Sequence, residues 1–266
     1  MKKIIIIVLS LVLAVSLISC KEETSELTIR VGATPVPHAE LLELIKDDLK
    51  EEGIVLEIVE FTDYVTPNIA LSDGDIDANF FQHVPYLDEF SSEHNLALSS
   101  IGTIHVEPLG LYSNSLKSID DLKDQATIAI PSDSVNGGRA LILLENKGLI
   151  TLKEDAGLKA TEADIIDNPK QLIFKAVEAA QLPRILPDVD AAIINGNYAL
   201  EADLSPAADA LILEGSESPY ANIVVIRTGE EKNESLQALV KVLQSEKVKT
   251  FITTEYGGGV VDAFGE

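Results

Sequence analysis

Apolar and polar positions alternate from residue 27 onward in a way that predicts strands followed by helices. Leu27–Ala33 has the period of two that is typical of a strand, whereas Ala39–Glu52 places four aliphatic side chains on one helical face and is followed by Gly53. Ile54–Phe61 is mostly apolar, as a strand buried on both faces would be. A helix, a strand and another helix are then predicted at Asn68–Leu71, Ile76–Phe81 and Val84–Glu93. This succession predicts a parallel sheet flanked by helices.

A second series of strands and helices follows. An extended segment and a capped helical turn come first, at Ile104–Tyr112 and Ser118–Asp121. Further strands are predicted at Thr127–Pro131, Val189–Ile194 and Ile223–Arg227. Further helices are predicted at Gly138–Lys147, Tyr198–Leu204, Glu234–Leu243 and Glu246–Thr254. Two such series predict two α/β lobes, each a mostly parallel sheet flanked by helices, with a ligand-binding cleft between them.

The first twenty residues have the pattern of an export signal. Two lysines precede the apolar run Ile4–Ile18, which is shorter than the ~20 residues that a bilayer-spanning helix needs. The run ends in Leu17-Ile18-Ser19-Cys20, which resembles the lipobox of bacterial lipoproteins, where the cysteine is acylated and becomes the mature N-terminus. We therefore predict a signal peptide at 1–19 and a lipidated Cys20 followed by a polar tether at 20–26. The alternative is an uncleaved anchor with an incidental cysteine.

Charge and composition exclude several classes of function. The 266 residues carry 20 Lys and Arg against 44 Asp and Glu, so the formal net charge is −24. A nucleic acid would be repelled by such a chain, which has no basic stripe to contact phosphates. Membrane attachment must come from acyl chains, because no polybasic patch is present. The single cysteine excludes an internal disulfide, and no Walker or GxGxxG motif indicates a nucleotide cofactor.

Residues 79–86 concentrate aromatic side chains in a chain that has few of them. The sequence NFFQHVPY brings Phe81, His83 and Tyr86 close together, although aromatics make up only 5% of the chain. A core position would explain one phenylalanine, but the polar ends of His83 and Tyr86 need partners if they are buried. We interpret this segment as a wall of a ligand site.

Arg139 follows Asn136-Gly137-Gly138 at a predicted strand-to-helix turn. Its planar guanidinium can bind a carboxylate through two hydrogen bonds, and a helix N-terminus also favours an anion. We predict that Arg139 binds a ligand carboxylate; the alternative in so acidic a chain is a surface ion pair. The amides of Asn195, Asn197 and Asn222 both donate and accept hydrogen bonds, so they could bind an ammonium and a carboxylate together, although Asn195 beside Gly196 could simply form a turn.

Metal binding and catalysis have weak support in the sequence. His105 and Glu107 share one face of an extended segment and could join His83 around a metal, but no HxH or HxxxH spacing occurs and we predict no metal. His38 lies in the first turn of a predicted helix, where a capped turn explains it as well as a ligand contact does. No GxSxG, HExxH or cysteine nucleophile is present, so we predict that the protein is not an enzyme and has no cofactor.

Seven blocks in order along the chain resemble the methionine-binding lipoprotein family, the NlpA/MetQ-type substrate-binding proteins of ABC importers. They are VGATPVPHAE, YVTPNIALSDGDIDANFFQHVPYL, HVEPLGLY, IAIPSDSVNGGRALILLE, NPKQLIFKAVEAAQLPRILPDVDAAIINGNYALEA, SPYANIVV and EYGGGVVDAF. The resemblance implies a periplasmic-binding-protein type II fold with two crossing segments. It implies a first lobe at 27–107 plus 225–266 and a second at 108–224.

The same resemblance implies the ligand and its contacts. The thioether of methionine would be surrounded by Tyr64, Phe81, His83 and Tyr86. Arg139 would bind the carboxylate, and Asn195 and Asn222 would fix the α-amino and carboxylate groups, with His105 and Asn197 nearby. The family more often has alanine at the position of Gly138, a departure that could loosen Arg139.

The function implied is that of a lipid-anchored, extracytoplasmic receptor that delivers methionine to the permease and ATPase subunits of an ABC importer. A methionine-containing dipeptide or another amino acid is the alternative ligand. A tethered secreted hydrolase and a surface adhesin are the alternative classes of protein. The hydrolase would need a nucleophile and a base, and the adhesin would not need a cleft arginine or an aromatic cluster.

Overall fold

The computed structural model describes residues 27–215 and 218–265. The strands are β1 Leu27–Ala33, β2 Ile54–Glu60, β3 Ala78–His83, β4 Leu98–Val106, β5 Gly110–Tyr112, β6 Thr127–Pro131, β7 Thr151–Leu152, β8 Ile165–Asp167, β9 Ile173–Val177, β10 Ala191–Ile194, β11 Ile212–Leu213, β12 Ala221–Arg227 and β13 Val261–Asp262. The α-helices are α1 Glu40–Leu44, α2 Lys46–Glu51, α3 Thr66–Asp73, α4 Val84–His94, α5 Ser134–Asn146, α6 Leu182–Ile185, α7 Gly196–Glu201, α8 Pro206–Asp209, α9 Glu234–Leu243 and α10 Glu246–Tyr256. The predicted signal peptide, Cys20 and tether lie outside the described residues. Within the described part of the chain, no helix is both long and apolar enough to cross a membrane.

Two sheets form the framework. The first has the strand order β13-β4-β12-β3-β1-β2, and the second has the order β11-β5-β10-β6-β9. The chain crosses between them twice, once between the end of β4 and the start of β5 and once between β11 and β12. The predicted two-lobed α/β fold is confirmed. The predicted boundary between the lobes at 224/225 stays a prediction, and it falls inside β12.

The sheets are mixed rather than mostly parallel, which corrects one detail of the predicted fold. β1 pairs in parallel with β2 and β3, whereas β12 runs antiparallel to both β3 and β4. In the second sheet β6 pairs in parallel with β9 and β10, but β5 runs antiparallel to β10. The antiparallel pairs arise at the two crossings, because a strand that leaves or re-enters a lobe there runs against its neighbours.

Helices cover both faces of each sheet. Alternate residues of β12 show this directly, since Val224 and Ile226 pack into the core beneath α9 and α10, whereas Ile223 and Val225 pack with Leu71 of α3 on the opposite face. A strand buried on both faces reads as a continuous apolar run, and burial of each such side chain contributes roughly 1.5–3 kcal/mol. The second sheet repeats this arrangement, with α5 on one face and α6 and α7 on the other.

Several predicted elements have different bounds in the structure. The helix predicted at 39–52 is interrupted at Ile45, whose φ of −97° and ψ of 1° separate α1 from α2. Helix α5 begins four residues before the predicted start, because Asp133 caps it by accepting a 2.8 Å hydrogen bond from the Asn136 N–H. The extended segment at 104–112 is two strands in different sheets, and residues 107–109 form the crossing between them.

Candidate functional site

A small cavity lies beside the two crossings, between the lobes. The cavity is lined by Tyr64, Phe81, Gln82, His83, Tyr86, Glu107, Asn136, Arg139, Asn195, Gly196, Asn197 and Asn222. All of the predicted ligand-binding residues except His105 line it.

Aromatic rings from the first lobe form one wall. Phe81 and His83 are alternate residues at the end of β3, and the turn into α4 brings Tyr86 beside them. The ring centroid of Tyr64 lies 5.9 Å from that of Phe81 and 5.8 Å from that of Tyr86. The Tyr86 hydroxyl donates a 3.0 Å hydrogen bond to the backbone oxygen of Tyr64, which fixes the two rings relative to each other. This wall is apolar in its body and polar only at its edges.

His83 links this wall to the second lobe. Its Nδ1 accepts a 3.3 Å hydrogen bond from the Tyr86 N–H at the start of α4, and its Nε2 lies 3.3 Å from Asn136 Oδ1. Burial, together with the nearby positive charge of Arg139, lowers the pKa of His83 from 6.5 to about 3. The imidazole is therefore neutral, with Nδ1 as acceptor and Nε2–H as donor.

Asn136 and Asn195 form an amide pair on the second-lobe side. Asn136 Oδ1 accepts a 3.0 Å hydrogen bond from Asn195 Nδ2, and Asn136 Nδ2 donates to Asp133 Oδ1 at 3.0 Å. The Oδ1 atom of Asn195 is buried, and no described residue hydrogen-bonds to it. Because an unsatisfied buried acceptor is costly, this atom is available to a donor on a ligand.

Arg139 is buried in the cavity wall and has partners of its own. Its Nε donates a 3.0 Å hydrogen bond to Glu214 Oε1, its Nη2 contacts Glu214 Oε2 and the backbone oxygen of Glu107, and its Cζ lies 4.2 Å from the centroid of the Tyr220 ring. Arg139 thus does form an ion pair, but the pair is internal and not on the surface. No described residue hydrogen-bonds to Nη1, so the guanidinium keeps donors for a ligand.

Gly138 packs α5 tightly against the segment after it. A methyl group at this position would contact the backbone of Leu158 and lie 2.9 Å from the backbone nitrogen of Ala160. The glycine therefore permits close packing beside Arg139, which gives a physical reason for the departure noted in the sequence.

Glu107 lies at the first crossing between two histidines. Its Oε1 accepts a 2.7 Å hydrogen bond from His105 Nε2 and lies 3.1 Å from His38 Nε2. Burial alone would raise the pKa of the Glu107 carboxyl, but the neighbouring His38 and His105 outweigh it and hold that pKa well below its usual range. Glu107 is therefore ionised within the cavity wall.

His105 lies behind Glu107 and does not line the cavity. Burial lowers its pKa, and its Nδ1 has no hydrogen-bond partner among the described residues. His38, His105 and Glu107 are the described side chains whose ligand atoms lie close enough for a metal ion, within 4.8 Å of one another. His105 Nε2 already hydrogen-bonds to Glu107, and His38 Nε2 hydrogen-bonds to Asn222. The absence of a metal stays a prediction.

The pairing of β12 with its two neighbouring strands brings Asn222 beside His38 and His105 at the cavity. β12 lies between β3 and β4, and Asn222 is in register with His83 on one side and His105 on the other. Its Oδ1 lies 3.0 Å from His38 Nε2, which is a hydrogen bond with the histidine as donor. A residue that is 117 positions from His105 in sequence is thus its direct neighbour, through sheet pairing alone.

A model described as NlpA lipoprotein matches residues 29–264, which is nearly all of the described chain. The chain belongs to the NlpA lipoprotein family. Membrane lipoprotein TpN32 of Treponema pallidum is 45% identical over 249 residues, with 94% of this chain and 92% of the relative covered. The D-methionine-binding lipoprotein MetQ of Escherichia coli is 39% identical over 256 residues, with 95% and 94% covered.

A solved structure with 44% sequence identity matches the fold closely. The nutrient-binding protein of Burkholderia cenocepacia, whose structure contains methionine, is 44% identical with a TM-score of 0.87. The match covers 89% of this chain and all of that one. The resemblance stated from the sequence is therefore confirmed for the family and for the fold.

Sequence reasoning did not assign four lining residues of this family member as ligand contacts: Gln82, Glu107, Asn136 and Gly196. From the sequence, Glu107 is a candidate metal ligand only, and Asn136 is part of a turn. A methyl group at Gly196 would lie 2.8 Å from Glu107 Cβ, so the glycine allows the second lobe to approach Glu107. The one signal in the sequence is the position of Gly196, which follows the strand predicted at Val189–Ile194, whereas Glu107 lies inside a predicted extended segment.

Proposed function

We propose that this protein is the lipid-anchored, extracytoplasmic substrate-binding protein of an ABC importer and that it binds methionine in the cavity between its lobes. The observation that carries the proposal is a small cavity with an aromatic wall facing buried amides and a guanidinium. Such a cavity suits a small amino acid with an apolar side chain. Identity of 44% to a protein whose structure contains methionine supports the choice of ligand.

The thioether of the ligand would lie against Tyr64, Phe81, His83 and Tyr86. A flexible, polarizable sulfur suits these rings, because each sulfur–aromatic contact contributes roughly 0.3–1.5 kcal/mol. The ligand carboxylate would accept from Arg139 Nη1 and from neighbouring amides, with Asn195, Asn197 and Asn222 as the candidates. His105 would act from behind Glu107, without touching the ligand.

The remaining parts of the proposal follow from the family and from the sequence. Relatives are named as lipoproteins, which supports attachment through an acylated Cys20 after removal of residues 1–19. The proposed role is to bind the ligand and not to catalyse a reaction. A substrate-binding protein of this kind delivers its ligand to a transporter, so the permease and ATPase subunits of an importer are the proposed partners. The two crossings support the proposed lobes at 27–107 plus 225–266 and at 108–224, which would close on the ligand.

Thermal unfolding with added amino acids tests the proposal. Protein stripped of ligand by partial unfolding and refolding should be stabilised by about 2.7 kcal/mol when methionine is at a hundredfold excess over its Kd. For a chain of this size that is a rise in Tm of roughly 5–10 °C. Glutamine would bury an unpaired amide in the aromatic wall at a cost of ~1–3 kcal/mol, so glutamine, leucine and glutamate should each give a clearly smaller rise.

Two results would contradict parts of the proposal. Stabilisation by a methionine-containing dipeptide but not by free methionine would leave the receptor role intact and change the ligand. Absence of stabilisation by any amino acid or short peptide would overturn the receptor role itself.

A further inference from the structure

Helix α7 of the second lobe presents one face to the first lobe. Asn197 and Leu200 are three residues apart on this helix and therefore share that face. Asn197 lies beside the cavity, where its Oδ1 accepts the hydrogen bond from the Tyr64 hydroxyl of the first lobe. Leu200 lies almost one turn further along the helix, and the described lining of the cavity does not include it. The face therefore contacts the first lobe both at the cavity and beyond it.

The side chain of Leu200 packs against the hydrophobic core of the first lobe. Among the described residues of this cluster, Leu200 is the one that the second lobe contributes, and the rest comes from the first sheet and the segments packed on it. Helix α7 also contacts the segment Pro35–Ala39 of the first lobe. Leu204, four residues further on, packs within the second lobe against the cluster that includes Leu182 and Ile194. Both leucines are half-buried, but only Leu200 bridges the lobes.

A second contact outside the cavity joins the lobes through helix α8. Gly259 of the first lobe and Pro206 of the second are both buried, and a methyl group at Gly259 would lie 3.0 Å from Pro206 Cδ. That is closer than the usual carbon–carbon contact of about 3.5–4.0 Å, so the glycine permits the approach of the proline. Val260, the next residue, belongs to the same cluster as Leu200. The segment that contains α7 and α8 is thus docked on the first lobe away from the cavity.

We infer that Leu200 holds the two lobes closed over the ligand and sets the rate at which the ligand leaves, without touching the ligand. The inference rests on the proposed function and goes beyond it, because it assigns part of the affinity to an apolar contact outside the cavity. Contact with the first lobe stabilises only the closed arrangement, since opening of the lobes returns the leucine side chain to water. Release of a ligand from between the lobes requires opening, so this contact slows release.

Release of methionine in stopped-flow displacement tests the inference. Leu200→Ala removes most of the apolar side chain and should release methionine about tenfold faster, which is the change expected when about half of a leucine side chain is no longer buried. Leu200→Met keeps the size and the apolar character of the side chain and should release methionine at close to the wild-type rate. The contact acts on the lobes and on no group of the ligand. Norleucine, which has a methylene in place of the sulfur, should therefore be released faster by the same factor.

Leu204→Ala is the matched control. It truncates another half-buried leucine of the same segment, but one that packs within the second lobe. This variant should lower the Tm of the ligand-free protein and release methionine at close to the wild-type rate. A general loss of packing would lower the Tm in either variant, whereas only loss of the contact between the lobes would change the release rate.

The outcomes separate the inference from the proposed function. Release from Leu200→Ala at the wild-type rate, or equal acceleration in Leu204→Ala, would overturn the inference and leave the receptor role intact. Absence of methionine binding by the wild type would overturn the proposed function, and the inference with it. Should Leu200→Ala not fold, Leu200→Val removes a single methylene and should release methionine roughly threefold faster. The wild-type rate in that variant would also overturn the inference.

Discussion

Individual polar side chains of the cavity serve structure and recognition at the same time. His83 caps helix α4 through Nδ1, reaches Asn136 in the other lobe through Nε2 and stands in the aromatic wall. The cap at Nδ1 requires the neutral imidazole, because a protonated Nδ1 could not accept the hydrogen bond from the Tyr86 N–H, and the contact with Asn136 then places the proton on Nε2. The fold therefore excludes a proton that the same side chain would accept in an unfolded chain.

The stability of the ligand-free protein should therefore decrease at acid pH, because the folded state does not protonate His83. The pKa of His83 is about 3 in the folded state against 6.5 ordinarily, so between these values the unfolded chain binds a proton that the folded chain does not. The contribution of His83 to the free energy of unfolding is therefore fully present above pH 6.5. It is lost as the pH falls toward 3, by up to about 1.4 kcal/mol per pH unit. His83→Asn retains a capping acceptor without a titrating group, and its free energy of unfolding in urea should fall less steeply from pH 7 to pH 4. If the free energies of unfolding of the wild type and the variant fell in parallel with pH, the loss of stability in acid could not be assigned to His83.

At this scale the sequence predicted the residues that carry a local signal. Phe81, His83 and Tyr86 stand out as aromatics at a strand end, and Arg139 follows two glycines at a turn. The role of Glu107 could not be predicted in the same way, because it depends on partners brought together by sheet pairing. The Glu214 partner of Arg139 is likewise 75 residues away along the chain. Spacing in sequence says nothing about such contacts.

At the scale of elements, β3 and α3 are joined by a buried network of amides. Asn68 Nδ2 donates to Gln82 Oε1 at 2.9 Å, and Asn68 Oδ1 accepts from Gln82 Nε2 at 2.6 Å and from Asn79 Nδ2 at 2.8 Å. Gln82 itself lines the cavity between Phe81 and His83. The network therefore holds the strand that carries the aromatic wall at a fixed distance from the helix beside it.

Asn68→Ala should lower the free energy of unfolding by about 2–3 kcal/mol, because it leaves the buried Gln82 Oε1 without a donor. The corresponding fall in Tm is roughly 5–10 °C. Asn114→Ala removes an exposed asparagine and should change stability by less than about 0.5 kcal/mol. The double variant Asn68→Ala/Gln82→Ala should lose less than the sum of the single losses, since the unsatisfied group is then gone. Additive losses would show that the two amides do not act together.

The order of elements was more predictable than their pairing. β1, β6, α9 and the start of α4 have the predicted bounds, because apolar periodicity and capping residues are local properties. The short edge strands β7, β8, β11 and β13 were not predicted, since two or three residues have no measurable period. The direction of β12 also could not be predicted, because it depends on which lobe the chain has just left.

At the scale of the whole molecule, the lobes contact each other around the cavity. The Tyr64 hydroxyl of the first lobe donates a 2.5 Å hydrogen bond to Asn197 Oδ1 of the second, and the Tyr198 hydroxyl of the second donates to the Thr62 backbone oxygen of the first at 3.3 Å. Lys159 and Glu89 form an ion pair between the lobes. Such contacts exist only when the lobes are together, so they bias the molecule toward the closed arrangement.

Two tyrosines of the aromatic wall allow this bias to be measured. Tyr64→Phe removes a hydroxyl that bonds across the lobes, whereas Tyr86→Phe removes one that bonds to Tyr64 within the first lobe. A hydrogen bond of this kind contributes about 1 kcal/mol, which corresponds to roughly a fivefold change in an equilibrium constant. Tyr64→Phe should therefore release methionine about fivefold faster in stopped-flow displacement, because opening of the lobes precedes release. Tyr86→Phe should release it at close to the wild-type rate, since its hydrogen bond is the same in open and closed arrangements. Equal acceleration in both variants would mean that the hydroxyls act on the ligand or on the wall, and that the bond between Tyr64 and Asn197 does not hold the lobes together.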